Sequence, residues 1–306
     1  MTSKNALPLE KYASLIDLEA PFDAPGPIPA SGKETEVIID ELLAFLMAES
    51  NTNDGLGGVQ DKRRLLQSLL TIREPNALPD WFHTGMDRLL QWEMRRKEIT
   101  DASLLPKIST VLPQSAYPAA NLCALWRGDV TTLKIDAIVN AANAALLGCF
   151  TPFHACIDNV IHAAAGPHLR QDCHVIMQHQ GRPEQTGGAK ITRAYNLPSR
   201  FILHTVGPIF DGKRIGPSAN QADQLAACYS ACLDLASRIS GLASIAFCAV
   251  STGVFGFPKR AAARIALDAV GIWLDRHPGK MERVVFNVFS EADQRVYIDT
   301  LTGSVS

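Results

Sequence analysis

Two thiols and one imidazole crowd into eight residues of this 306-residue chain: Cys149, His154 and Cys156, in the run Cys149–Phe150–Thr151–Pro152–Phe153–His154–Ala155–Cys156. Three soft or borderline ligands suit Zn²⁺, and three protein ligands leave the fourth tetrahedral position open, as in a catalytic site. The spacing is not that of a zinc finger, and no CxxC pairs are present to build a four-thiolate structural site. Two blander readings stand beside it: two buried thiols with a surface histidine, or a Cys149–Cys156 disulfide. Six residues upstream ends the run Val139–Asn140–Ala141–Ala142–Asn143. Asn140 and Asn143 each carry a donor and an acceptor, so either can grip a sugar hydroxyl, and either can equally be a turn residue. A soft cation beside an amide-rich pocket points to chemistry on a polar, hydroxyl-bearing substrate.

Three further features bear on that chemistry. Ser251–Thr252–Gly253–Val254–Phe255–Gly256–Phe257–Pro258 follows an apolar run and precedes a helical one. Small residues there free backbone N–H groups to face an anion, and the helix start adds partial positive charge. Phe255 and Phe257 can flank a sugar or base; a plain strand-to-helix turn has the same glycines. In Gly128–Asp129–Val130–Thr131–Thr132, Asp129 either stabilises a turn through its own side chain or accepts from a ligand's amino group. Asp158 lies two residues past Cys156. With a helix starting near His154, Asp158 falls one turn later on the same face and His162 one turn beyond. His174, His179 and His204 read as solvated or internally satisfied residues.

The elements that must position these groups have two rhythms. Residues 1–33 are rich in Pro, Ala and Gly and read as an extended lead-in. Residues 34–120 read as a helical N-terminal extension. Its apolar faces are Ile38/Leu42/Phe45/Leu46, Leu65/Leu66/Leu69/Ile72 and Phe82/Met86/Leu89/Leu90, with breaks at Asn51–Gly58 and Pro75–Pro79 and Asp80 as a cap. Residues 121–306 alternate short β-type runs with longer helical ones. Asn121–Trp126, Ala137–Asn140, Lys190–Ala194, Phe201–Val206, Ser244–Val250 and Arg283–Phe289 predict strands; His154–Ala165, His168–His179, Gln221–Ser240 and Lys259–Arg276 predict helices. Such alternation implies an α/β sheet with helices on both faces and ligands at the C-terminal strand ends.

Composition sets the outer limits. Hydrophobic residues make up 47% and charged residues 20%, enough to fill a core. A net charge of −2 argues against nonspecific nucleic-acid or anionic-membrane binding. The charge is uneven: residues 1–120 carry 12 Lys+Arg against 17 Asp+Glu, and the remainder 17 against 14, so the second part tolerates an anionic ligand. Seven scattered cysteines, with Cys123, Cys228 and Cys248 inside apolar runs, fit a reducing compartment and disfavour the disulfide. Acids at Glu10, Asp17, Glu19 and Asp23 are not those of a signal peptide. No apolar run reaches membrane-span length. The expectation is a cytoplasmic, soluble protein.

Six segments in order resemble a macrodomain: Gly128–Thr131, Val139–Asn143, Ile157–Gly166, Gly188–Thr192, Ile202–Pro208 and Ser251–Pro258. The resemblance covers about residues 121–300. It implies a three-layer α/β/α sandwich with a mixed central sheet. Where hydrolytic macrodomains carry a glycine run, this chain has Gly148–Cys156. That departure resembles the zinc-dependent macrodomains, a microbial subgroup with a helical N-terminal extension, some of them found beside sirtuin-type ADP-ribosyltransferases. By position, the resemblance implies that Asp129, with Val130, binds the adenine amino group and that Asn143, with Asn140 nearby, holds the distal ribose. It likewise implies that Ser251, Thr252, Gly253, Val254, Phe255, Gly256 and Phe257 wrap the diphosphate and that Cys149, His154 and Cys156 hold Zn²⁺. Asp158 matches the acid of the non-zinc hydrolases, so Asn143 and Asp158 are the expected catalytic pair. The implied activity is removal of mono-ADP-ribose from protein side chains, with Asp or Glu esters the expected linkage. Its rivals are a non-enzymatic ADP-ribose reader and an O-acetyl-ADP-ribose deacetylase.

Overall fold

The computed structural model describes residues 7–24, 26–50, 61–212 and 215–303. Three helices come first: α1 (Gly32–Ser50), α2 (Lys62–Ile72) and α3 (Asp80–Met94). Their apolar faces meet in a small core of Ile38, Leu42, Leu46, Leu66, Leu69, Phe82, Met86 and Leu89. Asp61 caps α2 by accepting from the Arg63 and Arg64 amides. The expected cap of α3 is corrected: Pro79 holds the capping position and Asp80 is the first helical residue, where its charge still complements the helix dipole. The predicted break at Asn51–Gly58 lies outside the described residues.

The second region holds a short parallel pair, β1 (Thr100–Asp101) with β3 (Leu133–Lys134), and a six-stranded sheet. The sheet's strands are β2 (Cys123–Arg127), β4 (Ala137–Ala142), β5 (Ala189–Arg193), β6 (Phe201–Val206), β7 (Ser244–Phe247) and β8 (Arg283–Val288). Their order is β2-β8-β7-β4-β6-β5, parallel throughout except for β5, which runs antiparallel to β6 at one edge. The helices are α4 (Ile108–Val111), α5 (Ile157–Ala165), α6 (Pro167–Gln180), α7 (Ala219–Ala236), α8 (Lys259–Arg276) and α9 (Glu291–Thr302). A capping box of Ser218 and Gln221 opens α7.

Strands buried on both faces read as continuous apolar runs. Within β4, Ala137 and Val139 join the core shared with α7, α8 and α9, while Ile138 and Ala142 join the core shared with α5 and α6. The result is the mixed three-layer α/β/α sandwich expected above.

Three features differ from expectation. Helix α5 begins at Ile157, not near His154, because residues 151–156 form irregular turns after Pro152. Helix α9 carries only two buried residues, Tyr297 and Leu301, among charges, so no apolar period marked it. The lead-in is anchored: two single-turn helices, Leu9–Lys11 and Ala13–Ile16, set Tyr12, Ile16 and Leu18 into the sheet's core, and Tyr12 Oη accepts from the Ile191 amide on edge strand β5 at 3.1 Å.

Candidate active site

Chain order reverses around β4: β6 lies on one side of it and β7 on the other. Ligands in open α/β sheets bind at such a switch point, beyond the carboxyl ends of the strands. β4 and β7 pair only at Ala137↔Ile245 and Ile138↔Ala246, so they part beyond Ile138. Every predicted site loop leaves a parallel strand at this edge. Asp129 follows β2, Asn143 and Cys149–Cys156 follow β4, and Ser251–Phe257 follows β7.

Backbone strain gathers here too. Five non-glycine residues among the described ones have positive φ, and three sit in these loops: Leu146 (58°), Phe153 (58°) and Ser251 (65°). Bulky residues in this region are costly and concentrate at functional loops. Gly207, after β6, lets the Ser251 turn close in, since a Cβ there would lie 2.0 Å from Ser251 Oγ. That hydroxyl is buried without a hydrogen-bond partner. The Phe210 amide donates to Phe255 O at 2.8 Å and the Phe257 amide to Ser251 O at 2.9 Å, closing the loop. The expectation that Phe257 flanks a ligand is corrected: it is 1% exposed and packs in the core, whereas Val254 and Gly253 face solvent and Phe255 is half-buried.

Asp129 divides its carboxylate. Oδ1 accepts from Thr131 N at 2.9 Å and Thr131 Oγ1 at 2.7 Å, the turn-stabilising role. Oδ2 stays half-exposed, 3.9 Å from Lys97 Nζ at the end of the helical extension. One residue escaped the sequence reading: Phe289, 83% exposed immediately after β8, beside the Asp129 turn. Gly128 N bonds Val288 O and Asn287 bonds Gly128 O, which brings the two together. Its signal was an aromatic residue at the exit of a buried strand.

The two asparagines separate in role. Asn140 is fully buried and donates through Nδ2 to Asp158 Oδ1 at 2.7 Å and to His204 Nδ1 at 3.2 Å. It stands behind the cleft wall and orients Asp158, in place of the ribose contact its sequence position allowed. Asn143 is half-buried; its Nδ2 donates to Gly148 O and its Oδ1 accepts from Ala145 N, both at 2.9 Å, so it staples the loop before Cys149. Gly148 adopts φ +83°, and a Cβ there would press to 3.1 Å from the His162 ring. Asp158 is 4% exposed, and burial raises its carboxyl to about 6 against the pull of the Asn140 amide and the Arg170 charge.

The metal candidate converges. The donor atoms of Cys149, His154 and Cys156 all lie within 4.8 Å of one another, with Cys149 Sγ 3.5 Å from His154 Nδ1. Zinc bonds of roughly 2.3 Å to sulfur and 2.0 Å to nitrogen place tetrahedral ligands about 3.5–3.8 Å apart, so one ion fits with small adjustments. Of the seven cysteines, all free, only Cys149 and Cys156 are not buried. Burial, with the neighbouring Cys149 sulfur, pushes the Cys156 thiol up to about 11. A bound cation reverses that cost, since a coordinating thiol is deprotonated outright. Asn159 Nδ2 pins the loop by donating to His154 O at 3.1 Å and Thr151 O at 3.4 Å.

A second triad, His162, Cys173 and His204, has donor atoms equally close but is wholly buried. It does not fit a metal. Asn140 donates to His204 Nδ1, so that ring's proton sits on Nε2 and faces Thr192 Oγ1 at 3.0 Å. His204 therefore offers no lone pair. Burial holds it neutral, with its pKa down to about 3, and holds His162 well below its ordinary value.

Comparison with known proteins accords with this geometry. The macro domain family model matches residues 139–266. The protein-ADP-ribose hydrolase of Treponema medium is 44% identical over 262 residues, covering 84% of this chain and 95% of its own length. That of Staphylococcus aureus strain MRSA252 is 41% identical over 268 residues, covering 87% and 95%. Among solved structures, the Trypanosoma brucei macrodomain in complex with ADP-ribose superposes with a TM-score of 0.57 at 31% identity, covering 76% of this chain and 94% of that one. This chain belongs to the macro domain family.

Proposed function

We propose that this chain is a zinc-dependent hydrolase that removes mono-ADP-ribose from modified protein side chains, with Asp and Glu esters as its substrates and a sirtuin-type ADP-ribosyltransferase as their source. The observation that carries the reading is the meeting of Cys149, His154 and Cys156 at the exit of the strand whose Asn140 orients Asp158. The named activity of the relatives supports the hydrolase class.

Along the strand ends, Asp129 on β2 and the Asn143 loop on β4 are three strand spacings apart, about 14 Å, with the Ser251–Phe257 loop on β7 between them. That order suits adenosine, diphosphate and distal ribose in turn. Asp129 Oδ2, with the neighbouring Val130 amide, takes the adenine edge, and Phe289 offers its exposed ring to the base. The Ser251 turn and the start of α8 hold the diphosphate, supplying binding energy away from the reacting carbon. Asn143 Oδ1 has a second lone pair for a ribose hydroxyl. Held by Cys149, His154 and Cys156, Zn²⁺ would supply Lewis-acid polarisation of a substrate oxygen, or lower a water's pKa to roughly 7. Asp158, with a pKa of about 6, is mostly ionised at neutral pH and can take the proton of the water whose oxygen bonds to the anomeric carbon, as the anomeric C–O bond breaks and the side-chain carboxylate leaves.

The test is to assay zinc in the purified protein and then incubate it with an auto-modified transferase target and, separately, with O-acetyl-ADP-ribose. The expected result is one zinc per chain and release of ADP-ribose from the protein target, lost on chelation. Binding of ADP-ribose with no release from either substrate overturns the hydrolase reading, and full activity without metal overturns the zinc.

A further inference from the structure

The metal loop carries an aromatic residue beside two of its ligands: Phe150 follows Cys149, and Phe153 precedes His154. Both rings are at the surface, 37% and 41% exposed, and Phe153 holds a positive φ of 58°. Each lies under a guanidinium. Arg170 Cζ sits 4.8 Å from the Phe150 centroid and Arg64 Cζ 4.6 Å from that of Phe153. Arg64 belongs to the first turn of α2. Arg170 belongs to α6, but its Nη1 donates to Leu70 O at 2.8 Å and Arg73 O at 2.9 Å, the carbonyls that end α2. A helix C-terminus is the end that favours a cation. A cavity of about 60 Å³ lies beside these contacts, between α2–α3 and α5–α6, lined in part by Arg63, Arg73, Asn159, His162 and Arg170.

We propose that Arg64 and Arg170 are positioning residues of the metal loop, and that helix α2 of the N-terminal extension thereby sets how firmly Cys149 and His154 hold their ion. This rests on the zinc reading above. Each arginine pins the residue next to a ligand through a cation–π contact, while the third ligand, Cys156, is fixed separately as the N-cap of α5. The extension would then tune metal retention without touching the metal.

The measurement is the rate at which the zinc-loaded full chain yields its metal to an excess of a chromogenic chelator, with melting temperature and ADP-ribose calorimetry alongside. Arg64 is exposed, so Arg64→Ala leaves the fold intact and should speed release about threefold, with ADP-ribose affinity unchanged. Arg64→Lys, which keeps a cation, should restore most of the wild-type rate. Phe153→Leu should match Arg64→Ala, and the double variant should be no faster than either single one, because both remove the same contact. Arg170→Ala should speed release about tenfold; should it fail to fold, the Arg64–Phe153 cycle decides alone. A wild-type protein that binds no zinc defeats the zinc reading itself. A zinc-loaded wild type whose Arg64→Ala and Phe153→Leu variants release at the same rate, or whose cycle is additive, defeats only the clamp.

Discussion

The chain holds two Cys/His triads with the same spacing of donor atoms and opposite surroundings. Cys149, His154 and Cys156 are half-buried on an irregular loop at the cleft. His162, Cys173 and His204 lie inside the sandwich with no exposed surface to speak of. In the outer triad the sulfurs have only weak partners. In the inner one the hydrogen bonds of Asn140 and Thr192 consume both nitrogens of His204. Proximity of ligand types is therefore a poor criterion by itself: His162 keeps both nitrogens free of hydrogen bonds, but His204 has no lone pair to spare and the inner triad has no route to solvent.

The sharpest test of that contrast removes one sulfur from each triad. Cys156→Ala should take zinc from one per chain to background and abolish turnover. Cys173→Ala should leave zinc unchanged and cost about 1–2 kcal/mol of stability through the small cavity it opens. Equal loss of metal in both, measured by elemental analysis, would erase the distinction drawn here. Next in size is the carboxylate between the triads. Asp158→Asn should retain zinc while slowing hydrolysis about 10²–10⁴-fold, the range of a general acid–base group. An unchanged rate would confine Asp158 to holding Asn140.

The smallest effect concerns the inner triad alone. His204 has a folded pKa of about 3 against an ordinary value of 6.5, so the unfolded chain takes up its proton first as pH falls. Its contribution is complete above pH 6.5 and is lost toward pH 3. Buried Asp158 and Asp172, both raised to about 6, act in the opposite sense over part of that range. The comparison must therefore be a difference. His204→Gln keeps a donor for Thr192 and an acceptor for Asn140 but does not titrate. Urea unfolding should show wild type losing about 2 kcal/mol relative to this variant between pH 6.5 and 5. A constant difference would mean that His204 is solvated in the fold.

Much of this was readable in advance, for local reasons. Runs such as Phe201–Val206 announce a strand buried on both faces, and the six ordered segments announce their family. The three candidate ligands were legible because all lie within eight residues. What escaped depends on distance along the chain. The Asn140–Asp158–His204 network joins a strand, a helix and a second strand, so Asn140 looked like another ribose ligand. Phe257 looked cleft-facing because residue type does not say which way a loop turns. The arginine–phenylalanine contacts span segments that the sequence assigned to separate regions. The start of α5 was misplaced because Cys156 caps it without a side-chain bond, leaving no Ser, Thr, Asp or Asn as a signal.

The tyrosine hydroxyl on β5 has a consequence of another kind. An open sheet ends in bare backbone, and bare backbone is where foreign strands attach and aggregates begin. By laying Tyr12 against Ile191, the lead-in segment covers one amide of that edge. The strand so covered is the one whose Thr192 backs His204, so a change at Tyr12 bears on an edge that sits two hydrogen bonds behind Asn140.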